Sequence, residues 1–171
     1  MLGYVCKYTP MELFEAMDTE ITRLEPSVTD FNHADTLMHA NICSYTKAVL
    51  EDVMEHDYEG VILTTCCDSI RRLYDTLKSQ FPDKFFFLLD IPRKFNDFAV
   101  TLYERQLKQM LTEYEAFSGK TLDLKRFVSM MQNKAALKKQ ENTRMSASAA
   151  SEKGNGQKLN IGIMGARCNN E

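Results

Sequence analysis

Five cysteines, an odd number, stand at positions 6, 43, 66, 67 and 168 of a 171-residue chain. Cys66 and Cys67 are adjacent, between the apolar run Val61, Ile62, Leu63 and a helical pattern that begins at Ile70. Cys6 closes the short stretch Leu-Gly-Tyr-Val-Cys, and Cys43 falls in the first turn of a helical pattern opening at Asn41. Thiolates are nucleophiles and soft metal ligands, and a helix N-terminus favours the anion. Three thiolates around one face of an iron–sulfur cubane leave an iron open to a substrate oxygen. That arrangement serves a Lewis acid or a one-electron donor. Zinc accepts the same ligands, but Cys-x-x-Cys pairs are absent and the spacings match no common zinc module. Alternatively the thiols are small hydrophobes that pack.

The elements around these residues alternate. Residues 2–6 read as a strand, followed by a turn and a helix that Thr9 caps and Pro10 starts. Residues 19–24 read as a second strand and 27–36 as loop. A helix from Asn41, as N-cap, to Glu55 carries Ile42, Tyr45, Val49, Val53 and Met54 at helical spacing. Gly60 enters the buried strand of Val61–Leu63; the helix after it has Asp68 or Ser69 as cap and points Ile70, Leu73, Tyr74 and Leu77 inward. Residues 84–90, Lys-Phe-Phe-Phe-Leu-Leu-Asp, are too apolar for a one-sided sheet. Asn96–Asp97 opens a long apolar-striped helix, from Phe98 to Tyr114, that Ser118–Gly119 stops. A further helix spans 122–136. Strands alternating with helices imply an α/β fold, a parallel sheet with helices on both faces. Parallel strands send their carboxyl ends to one edge, where ligands bind. Cys6, Cys43, Cys66, Cys67 and Asp90 are therefore expected to converge there.

Apolar content of 44% and charge of 26% are ordinary for a globular domain, and the length suffices for a core. A formal net charge of −3 offers no basic surface for a phosphate backbone, which disfavours nucleic acid. No segment reaches the roughly 18 apolar residues of a membrane span, and residues 1–7 lack the pattern of a signal peptide. Reduced thiols in the cytoplasm are expected rather than a disulfide framework. His39, four residues before Cys43, is within reach of the edge; His33 and His56 read as loop and surface residues. Lys7, Arg93 and Arg167 stand at strand ends, placed to attract a phosphate or carboxylate or else simply solvated.

Composition changes near the C-terminus. Residues 1–143 read as the α/β domain with its helical extension. Residues 144–158, rich in Ser, Ala and Gly, read as a flexible linker. Residues 159–171 begin a new strand, Leu-Asn-Ile-Gly-Ile-Met, that runs into Gly165 and Cys168. The expectation is the start of a second α/β domain that is missing, the chain being an N-terminal fragment, a truncated product or half of a split subunit.

Several stretches resemble a known family. Gly3-Tyr4-Val5-Cys6-Lys7-Tyr8-Thr9-Pro10, with Glu12 and Leu13, is similar to the opening of the 2-hydroxyacyl-CoA dehydratase family, which includes the 2-hydroxyglutaryl-CoA dehydratase D-component and relatives of benzoyl-CoA reductase. Asn41-Ile42-Cys43-Ser44-Tyr45-Thr46-Lys47 resembles its first cluster-ligand segment, Cys67-Asp68-Ser69 its second, and Asp90-Ile91-Pro92-Arg93 the strand end that follows. The resemblance implies flavodoxin-like domains, two per subunit, with a 4Fe-4S cluster between them and Cys43 and Cys67 as ligands. Cys6 and Cys66 are further candidates; the family's third ligand lies in the second domain, and Cys168 does not match it. It also implies an ATP-hydrolysing activator iron–sulfur protein that delivers one electron, a homologous dehydratase subunit, and an acyl-CoA substrate. The thioester carbonyl is reduced to a ketyl radical anion from which the 2-hydroxyl leaves. The alternatives within the resemblance are a double-cubane or benzoyl-CoA-reductase-like electron-transfer component and an inactive fragment.

Overall fold

The computed structural model describes residues 1–151 except Thr29 and Phe95, with side chains as far as residue 137. Val61, Ile62 and Leu63 are wholly buried in β3 (Gly60–Thr64). β3 pairs in parallel with β1 (Leu2–Tyr4) on one side and β4 (Phe85–Leu89) on the other; β2 (Ile21–Arg23) flanks β1. The order β2-β1-β3-β4, all parallel, is that of a flavodoxin-like α/β sheet.

Alternation along the strands divides the core in two. Val61, Leu63 and Phe86 face α3 (Ser44–Glu55) and α4 (Asp68–Gln80), meeting Val49, Leu50, Val53, Ile70, Leu73 and Leu77. Leu2, Ile62, Phe85, Phe87 and Leu89 face α1 (Met11–Glu15) and α5 (Asp97–Ser118), meeting Phe14, Met110 and Tyr114. Each fully buried side chain of this size contributes about 1.5–3 kcal/mol. β3 is covered on both faces, which is why its sequence is a continuous apolar run rather than an alternating one. Glycine is required at its start. A Cβ on Gly60 would lie 2.0 Å from the Phe85 carbonyl oxygen, because β4 passes directly over it.

Several local expectations change. Pro10, not Thr9, occupies the N-cap of α1; the Thr9 hydroxyl is buried without a hydrogen-bond partner. Residues read as loop contain a short helix, α2 (Asn32–Leu37), anchored from outside: Ala34 is buried and its N–H is held by the Glu51 carboxylate of α3. α3 starts at Ser44 with Cys43 as N-cap, while Asn41 N–H turns back onto His39 Nδ1 at 3.2 Å. α4 has Cys67 as its N-cap, ahead of Asp68 and Ser69. At the start of α5 the Asn96 cap holds as expected, its side chain accepting from Ala99 N–H at 2.8 Å, and Gly119 (φ 70°) ends the helix in the left-handed region. Phe98, expected on the apolar stripe, is 77% exposed.

α6 (Leu124–Ser151) continues through residues 144–151, half of the stretch whose composition suggested a linker. Alanine, the best helix former, recurs there. The expected strand from Leu159 and Cys168 lie outside the described residues. Two compact units are distinguished, Met1–Gln132 and Asn133–Glu171, and the sheet with α1–α5 belongs to the first. Among the described residues no helix is long and apolar enough to cross a membrane.

Candidate functional site

β1 and β3 are adjacent, but the helices after them leave to opposite faces. α1 follows β1 and packs with α5; α4 follows β3 and packs with α3. A crevice opens at the carboxyl ends of two such strands, the switch point of the sheet. Cys6 lies two residues beyond β1, and Cys66 and Cys67 follow β3 by two and three residues. Cys67, in extended conformation, is the N-cap of α4, and its side chain makes no capping hydrogen bond. Cys43 holds the equivalent place on α3, again with no capping bond; its Sγ is 3.2 Å from Thr46 Oγ1. α3 leads down to the start of β3 and α4 leads away from its end, so both N-termini stand at the carboxyl edge. The two helices pack side by side. Both thiols therefore sit among unpaired helix N–H groups on one edge.

Cys43, Cys66 and Cys67 are exposed and Cys6 is half-buried. Packing, the alternative that the sequence left open, does not account for three exposed thiols. Burial of its sulfur pushes the Cys66 thiol up from its ordinary range. The Thr64 hydroxyl, close to it but outside ordinary hydrogen-bond geometry, opposes that shift in part, and the nearby Cys67 and Cys6 thiols add to it. Cys6, Cys66 and Cys67 thus share the carboxyl edge of the sheet, each just beyond the end of its strand.

A polar lacing holds the edge. Thr65 Oγ1 donates to the Asp90 carboxylate and receives the Ile91 N–H at 3.4 Å, tying the end of β3 to the end of β4. The Asp90 N–H donates to Gln106 Oε1 of α5 at 2.8 Å, and the Arg71 guanidinium of α4 lies 3.9 Å from its carboxylate. Asp90 was expected at this edge; Thr65, Arg71 and Gln106 were not singled out. Only the pair Thr64–Thr65 at the end of an apolar run hints at them, since their partners are 16 residues or more away. A second tie lies behind Cys43. The Glu51 carboxylate, 3% exposed, accepts from Ala34 N–H and meets His33 Nδ1, each at 2.7 Å.

The family model for the 2-hydroxyglutaryl-CoA dehydratase D-component matches residues 6–160. The chain belongs to that family. A search of curated proteins returns no match. The chain is thus a dehydratase-type component, and the family is one of iron–sulfur dehydratase components. Its donors fit such a group only as part of a ligand set. Exposed thiols at two neighbouring helix N-caps suit an anionic cluster, yet among the described residues no three His, Cys, Asp or Glu side chains gather as a metal-holding group. The histidines are engaged elsewhere: His33 with Glu51, His39 with the Asn41 backbone, and His56 with Asp52. Lys7 lies over the Tyr8 ring, 5.3 Å from its centre, Arg93 borders a cleft, and Arg167 is outside the described residues.

Proposed function

We infer that this dehydratase-family chain contributes Cys43 and Cys67 as ligands to a 4Fe-4S cluster in an enzyme that dehydrates a 2-hydroxyacyl-CoA, with Cys6 or Cys66 as further ligands. The observation that carries this is the placement of two exposed thiols as N-caps of neighbouring helices at one edge of a parallel sheet, in a chain matched by the dehydratase family. When bound, the cluster supplies single electrons to the thioester carbonyl. The chain's own part is to hold the thiolates. Helix N–H groups favour the anions, and the Thr65–Asp90 lacing fixes the turn that carries Cys66 and Cys67. An incomplete ligand set implies that the remaining donors come from a second domain or a homologous subunit. The electron is supplied by an ATP-dependent activator iron–sulfur protein, in the reducing cytoplasm.

Anaerobic reconstitution with ferrous iron and sulfide, in the presence of the homologous subunit, tests this. Wild-type protein should hold iron and acid-labile sulfide in equal amounts. Cys43→Ser and Cys67→Ser should each lower both several-fold while circular dichroism stays unchanged. Iron content that is the same in the double serine variant as in the wild type refutes the assignment.

A further inference from the structure

Among the described residues three buried side-chain polar atoms have no hydrogen-bond partner: Thr9 Oγ1, Arg23 Nε and Thr64 Oγ1. All three stand at the carboxyl edge of the sheet, where Arg23 ends β2, Thr64 ends β3 and Thr9 lies beyond β1. Thr64 is the most deeply placed, at 0% exposed. Its neighbour differs: Thr65 Oγ1 donates to Asp90 and also receives the Ile91 N–H. A buried hydroxyl without a partner costs about 1–3 kcal/mol. Valine has nearly the same shape and would continue the run Val61, Ile62, Leu63 without that cost. β3 therefore ends in a hydroxyl that the fold itself does not use.

The chain folds back at this residue. The Cys66 N–H donates to the Thr64 carbonyl at 2.7 Å, closing a three-residue turn that keeps Cys66 beside Thr64. Cys66 is exposed, so its sulfur can meet a ligand from outside while it neighbours that hydroxyl. Cys6 is the poorer acceptor on two counts. It is half-buried and packs against the core layer of α3 and α4. Alternation along β3 sends Thr64 to the other face, with Ile62, toward α1 and α5. A thiol sulfur accepts a hydrogen bond only weakly, whereas a metal-bound thiolate accepts strongly because it carries charge. The Thr64 hydroxyl thus gains a full partner when the sulfur beside it is held by a metal.

We propose that the Thr64 hydroxyl donates to the Cys66 sulfur when that sulfur is bound to iron, which makes Cys66 rather than Cys6 the third sulfur this chain gives the cluster. This rests on the reading of the chain as a cluster-holding component, and it adds a residue that sets how readily the cluster takes an electron. A hydrogen bond to a ligating sulfur stabilises the extra negative charge of the reduced cluster and so raises its reduction potential. Thr64 is a positioning residue, acting on the cluster through Cys66.

The full chain, reconstituted anaerobically with ferrous iron and sulfide beside the homologous subunit, is titrated potentiometrically and read by electron paramagnetic resonance. Thr64→Val, which keeps the shape and removes the hydroxyl, should lower the potential by about 59 mV, a tenfold change in a one-electron equilibrium. Thr64→Ser should keep most of the wild-type value, and Thr64→Val should have its full effect in a Cys6→Ser background. Cys66→Ser should lower iron and sulfide several-fold, and Cys6→Ser should not. Alkylation by iodoacetamide, read by mass spectrometry, should slow several-fold at Cys66 on iron loading and stay unchanged at Cys6. In the iron-free protein Thr64→Val should leave the urea midpoint equal or higher, since it removes an unpartnered polar group. A potential unchanged in Thr64→Val, or a drop that Thr64→Ser shares, overturns the proposal. So does a lower urea midpoint for iron-free Thr64→Val, which would give the hydroxyl a partner within the fold. Cys66 alkylated equally fast with and without iron, or iron lost with Cys6→Ser and kept with Cys66→Ser, also overturns it. All of these leave Cys43 and Cys67 as ligands. A wild-type protein that takes up no iron overturns both readings.

Discussion

Replacing Glu51 by leucine should loosen the segment that presents Cys43 while leaving Cys67 in place. Glu51 projects from α3 into the joint with α2, and its side chain is 3% exposed. One carboxylate oxygen accepts from the buried Ala34 N–H at 2.7 Å and the other meets His33 Nδ1 at 2.7 Å. Leucine fills a similar volume but accepts nothing. A buried N–H left without an acceptor costs about 1–3 kcal/mol. The His33 contact adds little, since that ring is 53% exposed, and exposed ion pairs contribute about 0–1 kcal/mol. Relief of the carboxylate's desolvation offsets part of the loss. A net destabilisation of about 2 kcal/mol follows, or about 4–8 °C in melting temperature for a chain of this length. His33→Ala should cost under about 1 kcal/mol by the same reasoning. The segment from α2 to the Cys43 N-cap is tied down through this contact, and α4 is not. Pulsed thiol labelling read by mass spectrometry should therefore show Cys43 reacting several-fold faster in Glu51→Leu, with Cys67 unchanged. Stability unchanged within about 0.5 kcal/mol, or a larger loss from His33→Ala, would refute the account of this joint.

Gly60→Ala should cost more than about 3 kcal/mol or prevent folding, because its Cβ would stand 2.0 Å from the Phe85 carbonyl oxygen and force β3 and β4 apart; urea unfolding measures it. Asn96→Ala removes the acceptor for Ala99 N–H and should cost about 1 kcal/mol, with Asn96→Asp retaining most of it. Tyr58 and Tyr114 are each pushed up to about 12. Burial is the first cause for both. The Asp52 charge and hydrogen bond add to it at Tyr58; at Tyr114 the Glu59 carboxylate raises the phenol against an opposing Thr19 bond. A tyrosine ionises near 10 when unfolded, so the folded state keeps these protons longer. Their contribution is full below about pH 10 and is lost as pH rises from there through about 12. Unfolding midpoints followed across that window should fall steeply in the wild type and less so in Tyr114→Phe; a slope unchanged by the substitution would exclude Tyr114 as its source.

The order of strands and helices, the parallel sheet, and the gathering of Cys6, Cys66 and Cys67 at its carboxyl edge follow from local pattern. Apolar runs entered by glycine and amphipathic runs of period 3.6 encode element type, and the handedness of parallel connections then leaves few topologies. Asn96 and Gly119 were legible for the same reason: a cap's partner lies within three or four residues of it. The start of α3 was not, since Asn41 N–H turns back onto His39 and Cys43 takes the N-cap, nor was α2, whose Ala34 N–H is held by Glu51, seventeen residues away. The Thr65–Asp90–Gln106 lacing is likewise hidden in sequence. Its members come from separate elements, and a polar or charged side chain carries no local mark of the distant group it will meet. Sequence thus determined which residues arrive at the edge, through interactions among near neighbours. Tertiary structure alone decided how exposed each thiol is and what surrounds it, because burial and long-range pairing exist only once the sheet and both helical layers have closed.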